Sequence, residues 1–350
     1  MRLLVKGAGV AGLTAALELV RRGFAVEVAE RRRTVGLGAS HYAGGMLAPY
    51  CEREAAEEAV LTLGIDAARW WEEALPGEVV RNGTLVVASG RDLPELNRFA
   101  ARTRGYRRVS AEEIAALEPA LAGRFQHGLF FAEEAHLDPR RALNGLYEML
   151  TARGVAFHLG SVGQPQEGLF SAVLDCTGPA AIATLPGLRG VRGEMLYLET
   201  PDVRLSRPVR LLHPRHPVYI VPRRDHRFMI GATMIETEDE GPISARSLME
   251  LLNAAYAVHP AFGEARVVET GTGVRPAFAD NLPRVVERPD GLAIAGMYRH
   301  GFLLAPATAR QAADRLEQRL LPAGKELNHA SAHQRGTAGL QELDARRSSP

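Results

Sequence analysis

The first thirty residues constrain the fold more tightly than any other stretch. Arg2 to Lys6 is a short, largely apolar run, and Gly7-Ala8-Gly9-Val10-Ala11-Gly12 follows it as G-x-G-x-x-G. Val10 to Arg22 then has a helical pattern with Leu13, Ala16, Leu17 and Val20 on one face. Gly23 stops it, and Phe24 to Ala29 alternates as a second strand ending at Glu30. In such a unit the first glycine makes the tight turn. The second lets the backbone approach a pyrophosphate, and the third lets helix pack on strand. Free N–H groups at the helix start, aided by the helix dipole, hold phosphates. Glu30 lies 18 residues past Gly12, near the position of a carboxylate that accepts from a ribose hydroxyl. The pattern predicts a βαβ dinucleotide site; the competing reading is a βαβ unit without a ligand. Lys6 is out of place, since the end of a buried strand is normally apolar.

The 350 residues suffice for two domains or for one with an inserted lobe. An apolar fraction of 46% and a net charge of +1 describe an ordinary globular protein, with no charge excess to draw a nucleic acid or a membrane. No apolar run approaches a membrane span. The amino terminus enters the first strand directly, so no signal peptide is expected. Cys51 and Cys176 lack the spacing of a zinc or redox pair, and the expected location is cytoplasmic. His213-x-x-His216 has no third ligand nearby and is interrupted by proline, so no metal site is expected.

Further along, Arg31 to Arg33 reads as a solvated loop with one arginine over an adenosine, because Glu30 would repel the 2′-phosphate of NADP. Gly36 to Pro49 is rich in small residues and suits a backbone lying against a large flat ligand. Glu54 to Leu75 reads as one helix, with Trp70 and Trp71 as packing residues. Val79 to Ala88 reads as a hairpin through Arg81-Asn82-Gly83. Ser110 and Glu113 form a capping box, Gly128 to Phe131 is strand-like, and Asp138-Pro139 starts a helix running to about Arg153. Strands are expected at Val155 to Leu159 and Ala172 to Cys176, with too short a span between them for a crossover helix. Pro186 to Gly190 reads as a loop. Strands at Met195 to Leu198, Val218 to Val221 and Phe228 to Ile230 suggest an antiparallel sheet. A helix from Ser244 to Val258 and a strand from Arg266 to Thr270 lead into Gly271 to Pro276. Leu292 to Ala295 then turns through Gly296 to Gly301 into a helix ending near Leu320, whose N-terminus offers a second positive dipole end. The chain past Leu321 is polar and small, and residues 323–350 read as a flexible tail.

Several stretches, in this order and spacing, resemble the D-amino-acid oxidase family of flavoproteins, most nearly its glycine oxidase branch of thiamine biosynthesis. They are the Gly7 turn with Glu30, ASHYAGGMLAP (Ala39 to Pro49), GVRGEMLYLE (Gly190 to Glu199), YIVPRRDHRFMIGATM (Tyr219 to Met234), GVRPAF (Gly273 to Phe278) and GMYRHGFLLAP (Gly296 to Pro306). The resemblance covers roughly residues 1–320. It implies an α/β fold: a Rossmann-like FAD-binding domain from residues 1–78, 139–190 and 276–322, and an inserted antiparallel-sheet substrate domain from 79–138 and 191–275. By position, Gly7, Gly9, Val10, Ala11, Gly12, Glu30 and Arg31 would hold the ADP half of FAD. Ala39, Ser40, Gly44, Gly45 and Met46 would lie along the pyrophosphate, ribityl chain and ring. Met297, Tyr298, Arg299, His300, Gly301, Phe302 and Leu303 would cover the far end of the flavin. Arg275 and Tyr219 match the family's contacts to the substrate carboxylate, with Arg299 near the isoalloxazine. A further nucleotide contact is expected near Val162.

The implied chemistry is coherent. A bidentate arginine supplies both charge and orientation to a small zwitterion's carboxylate, and a cation and helix N-terminus at Arg299 and Gly301 suit the negative charge that forms on a reduced flavin. His41 invites a covalent flavin link, but relatives that use histidine carry it where this chain has Tyr42. Gly296 to Pro306 also lacks cysteine, so FAD is expected to be non-covalent. Three functions stay open: an oxidase making an imine from glycine or a small amine and H2O2 from O2, a D-amino-acid or sarcosine-type dehydrogenase with another acceptor, and a non-catalytic flavin-binding protein. The first carries a further expectation that the imine is handed to a thiazole synthase. Association into a homo-oligomer is also expected.

Overall fold

A computed structural model describes residues 1–213 and 217–321; the expected tail, residue 322 and His216 lie outside the described residues. The opening segment forms strand Arg2–Lys6, helix Val10–Arg21 and strand Ala25–Glu30. They belong to a six-stranded sheet ordered 284–288, 291–295, 172–175, 2–6, 25–30, 156–159. All its pairings are parallel except that of the edge strand Arg284–Arg288 with Gly291–Ala295. The chain leaves Arg2–Lys6 toward one side of the sheet and returns on the other at Ala172–Asp175. A topological switch point therefore lies at the carboxyl end of the first strand, the usual place for a ligand crevice. Lys6 ends that strand half-buried, paired to Glu167 at 2.6 Å.

Helix Val10–Arg21 packs against the C-terminal helix Gly301–Leu320 through fully buried Leu13, Leu17, Ala309 and Ala313. Pro306 sits inside that second helix and has no N–H to donate to the carbonyl of Phe302. The Trp71 indole fills the gap, its Nε1–H donating to the Phe302 oxygen at 2.9 Å. Trp70 donates to buried Glu18 at 2.7 Å. Both tryptophans are packing residues with satisfied polar handles.

The second sheet has nine strands, ordered 235–236, 189–199, 227–231, 218–222, 209–212, 84–88, 127–131, 107–110, with Arg266–Ala277 paired along Arg189–Glu199. Its side chains alternate between two environments, as the period of two requires. Leu196, Leu198, Ile220 and Ile230 face helix Ala245–Val258. Met195, Tyr197, Val221 and Met229 face the other way, onto Tyr42, Met46 and Tyr219.

Local capping signals are met: Ser110 with Glu113 forms both bonds of a capping box, and Asp138 and Ser244 cap the helices that follow them. Other expectations are corrected. Glu54 to Leu75 is interrupted: the chain forms three short helices, Pro49–Arg53, Glu58–Gly64 and Ala67–Ala74. Gly64 lies so close to Leu303 that a Cβ there would sit 2.7 Å from its Cγ. Asn82-Gly83 does not close a hairpin. Val80 bridges to His136 while Thr84–Ala88 pairs with His127–Phe131 and Val209–Leu212, so the turn carries the chain into the second sheet. The strand expected from Arg266 to Thr270 runs on through Gly271 to Pro276 as one 12-residue strand. The loop at Pro186 likewise gives way to strand at Arg189, and strands Val209–Leu212 and Arg284–Arg288 had no clear local signal.

Candidate active site

A single cleft runs from the switch point to the inner face of the second sheet. Every residue expected at the cofactor lines it except Gly12, which lies beneath the turn; Arg275 and Tyr219 line it as well. Thr177 and Gly178 join from the neighbouring strand end, and Gln164 rather than Val162 joins from the short connection before it. Val162 is 90% exposed.

At the nucleotide end the backbone makes the site. Gly7 has φ +97° and its N–H donates to the Ala29 oxygen at 2.7 Å. A Cβ on Gly12 would collide with the Gly7 carbonyl, whereas one on Gly9 would meet only the Ser40 hydroxyl, at 3.2 Å. Gly9 thus faces open cleft. The helix begins on it with no capping side chain of its own, and the Ser40 hydroxyl oxygen accepts from Val10 N–H at 3.1 Å. Buried Glu30 accepts from Ala8 N–H and Arg32 N–H, both at 2.9 Å, so each oxygen keeps a lone pair for another donor. A bare glycine at the helix start, free space beside it and a fixed carboxylate at the second strand suit a pyrophosphate and a ribose. Gly44 and Gly45 continue the track, and a Cβ on Gly44 would press on the Tyr219 ring at 2.7 Å.

At the other end side chains make the site. Arg275 and Tyr219 come from different strands of the second sheet. The Arg275 guanidinium occupies the space above Gly193 on the paired strand, where any Cβ would collide with it. Arg275 donates to the Thr233 oxygen at 3.0 Å and has no carboxylate partner among the described residues. Burial pushes its guanidinium down from its ordinary value and pushes the Tyr219 phenol up. A cation so placed is stabilised by an incoming anion.

Arg299 differs. Its Nη2 lies 2.7 Å from Oε2 of Glu52, which also lies 3.2 Å from Nδ1 of buried His300, while Arg210 reaches Oε1 at 3.3 Å. Burial opposes the charge on Glu52, yet Arg299, His300 and Arg210 around it hold the carboxyl well below the usual range. Burial also pulls His300 down. Neither Glu52 nor Gly193 carries a signal in the sequence that marks a site. Above them Met234 places its sulfur 3.3 Å from the Tyr298 hydroxyl and 3.6 Å from Nη1 of Arg299.

The family model described as FAD dependent oxidoreductase matches residues 2–315. The chain belongs to that family. It is 66% identical over 316 residues, covering 90% of this chain and 96% of the relative, to a Rhizobium etli protein named as a thiamine biosynthesis oxidoreductase, ThiO. It is 28% identical to a bifunctional protein ThiO/ThiG of Synechocystis sp., over 95% of this chain and 54% of that one. It is also 28% identical to a glycine oxidase of Geobacillus kaustophilus, over 90% and 92%. A crystal structure of glycine oxidase from the latter organism superposes with a TM-score of 0.75 at 23% identity, covering 94% of this chain and all of that one, and so shares the fold. The chain is accordingly FAD-dependent, and the backbone-lined track of the cleft fits that cofactor. Among the described residues no group of three metal-ligating side chains is placed to hold an ion, and no helix is long and apolar enough to cross a membrane.

Proposed function

We propose that this FAD enzyme is an oxidase of glycine or a similarly small amine bearing a carboxylate. The observation that carries the reading is Arg275, a guanidinium without a carboxylate partner among the described residues, in the cleft of an FAD-dependent oxidoreductase. FAD, when bound, would supply the hydride acceptor for oxidation at Cα, with O2 as the final oxidant and H2O2 as its product. Arg275 binds the carboxylate in two-pronged fashion, and Tyr219 offers its hydroxyl from a strand of the same sheet, with strands 189–199 and 227–231 between the two. Together they fix Cα and exclude water from its faces. Release of the amine's proton needs no side-chain base when the amine binds neutral. The product imine hydrolyses to glyoxylate and ammonia. Support for the substrate comes from the names of the relatives, and the fused ThiO/ThiG protein supports transfer of the imine to a thiazole synthase in thiamine biosynthesis.

The same reading assigns residues 1–78, 139–190 and 276–322 to the FAD domain and 79–138 with 191–275 to the substrate domain. It places the enzyme in the cytoplasm, where buried, unpaired Cys51 and Cys176 stay reduced, and as a homo-oligomer, checked by light scattering. FAD is held without a covalent bond: acid precipitation should leave the colour in the supernatant, and flavin in the pellet would redirect attention to His41. The deciding experiment is anaerobic titration with glycine, sarcosine, N-ethylglycine and small D-amino acids. Bleaching of the flavin by at least one of them, with H2O2 formed when air returns, is expected. No bleaching by any of them sinks the reading, and bleaching without oxygen consumption turns it into a dehydrogenase.

A further inference from the structure

Two arginines line the substrate end of the cleft, and a carboxylate occupies only one of them. Arg275 has no acidic partner among the described residues, whereas Arg299 meets Glu52 at 2.7 Å. Glu52 lines the same cleft but is only 7% exposed. It is fixed from behind by Arg210, whose guanidinium stacks over Phe99 at 5.2 Å and donates to the Cys51 oxygen at 3.4 Å. Among the described residues the cleft-lining charges at this end are therefore two arginines and one glutamate, a net charge of +1 that a single carboxylate balances. From this we infer that Glu52 sets specificity: it occupies Arg299, reserves Arg275 as the one cation for an anionic group, and limits substrates to amino acids with a single carboxylate.

The physical case rests on what a second carboxylate would meet. Near Arg299 it would have to displace or approach the fixed carboxylate of Glu52. Like charges brought together where little water intervenes are strongly disfavoured. Removing the charge on Glu52 frees the Arg299 guanidinium and turns repulsion into attraction. Glu52 touches Arg299 and not the reacting atoms, so it acts as a positioning residue through the charge it cancels.

This inference rests on the proposed oxidase reading, and the test separates the two. In the wild-type holoenzyme, kcat/KM for iminodiacetate should be at least about tenfold below that for N-ethylglycine, which has a similar length but one carboxylate. In Glu52→Gln the ratio between the two substrates should move at least about tenfold toward iminodiacetate. A merely structural role for Glu52 would lower both alike and leave the ratio unchanged, which overturns the inference. Should the variant fail to fold or to keep flavin, the wild type still decides by binding alone. Acetate and malonate are titrated against the holoenzyme and read by flavin absorbance. Malonate binding no tighter than acetate supports the inference, and malonate binding tenfold tighter overturns it. If no amine bleaches the flavin the oxidase reading fails, while the acetate and malonate titration still judges Glu52.

Discussion

The two ends of the cleft are built by different means. The nucleotide end is made by the backbone of one continuous stretch, residues 2–30, in which glycines at 7, 9 and 12 and a single carboxylate do nearly everything. The substrate end is made by Glu52, Gly193, Tyr219, Thr233, Arg275 and Arg299, spread over 247 positions from Glu52 to Arg299. A backbone-built site tolerates no bulk but asks little of the rest of the chain. A site built of side chains depends on strand register, because a slip of one residue turns each of them to the opposite face.

The largest effects should separate the two roles of the glycines. Gly12→Ala places a Cβ into the Gly7 carbonyl and should cost the fold itself, read as loss of soluble protein. Gly9→Val meets only the Ser40 hydroxyl and should fold, but fill the space where the pyrophosphate meets the backbone. Flavin content should fall to near zero while the circular dichroism spectrum stays native. A yellow Gly9→Val protein would break the assignment of the nucleotide end.

Arg275→Ala comes next. Losing one partner of a buried charge pair costs about 3–5 kcal/mol, or about two to four decades in kcat/KM for glycine. Flavin content should stay at the wild-type level, which is the signature of the substrate end. Arg275→Lys should recover part of the loss, restoring charge without the two-pronged geometry. Glycine turnover within a few-fold of wild type in the alanine variant would mean that the carboxylate is held elsewhere.

Gly193→Ala tests the dependence on register directly. Its added methyl would enter the space of the Arg275 guanidinium on the neighbouring strand. The arginine must shift, and about one decade of kcat/KM should be lost with flavin retained. An unchanged KM and kcat would show that Arg275 can relocate freely.

The same contrast explains what could be read before the fold was known. The βαβ unit, the Ser110 box and the Asp138 cap are local devices, complete within a few residues. The strand at Arg266 was read only as far as Thr270 because Gly271 and Gly273 weaken the strand pattern. In the sheet they leave room for Tyr42 and Ala39 crossing the strand, a demand visible only in three dimensions. Val209–Leu212 was missed because four residues with one arginine carry no period; it lies between the nearby Val218–Pro222 and Thr84–Ala88, the latter more than a hundred residues away. Tyr219, Arg275 and Arg299 were reached through resemblance. Glu52, which cancels the charge of one of them, has no motif of its own and looks like any acid on a short helix.

Behind Glu52, against its neighbour Cys51, lies a group that does not line the cleft and should touch neither function. Glu134 is fully buried and accepts from Cys51 N–H at 2.7 Å. Burial pushes its carboxyl from 4.5 up to about 7, with the neighbouring Cys51 and Thr84 only partly opposing this. An acid whose value is raised in the folded state binds its proton more tightly there than in the unfolded chain. Stability is then greatest below about pH 4.5 for this group, and falls as pH rises toward 7 and the unfolded chain alone releases its proton. The shift corresponds to roughly 3 kcal/mol lost by pH 8. Glu134→Gln keeps a carbonyl to accept from Cys51 but has no proton to lose. Its Tm relative to wild type should therefore rise between pH 5 and pH 8, by several degrees, while flavin content and kcat/KM for glycine stay near wild type. A Tm difference that is flat with pH would mean that Glu134 is ionised in the fold and stabilised by partners other than Cys51. A loss of activity with flavin intact would mean that the packing behind Glu52 is not inert, and that Cys51 passes a change at Glu134 directly to its neighbour Glu52.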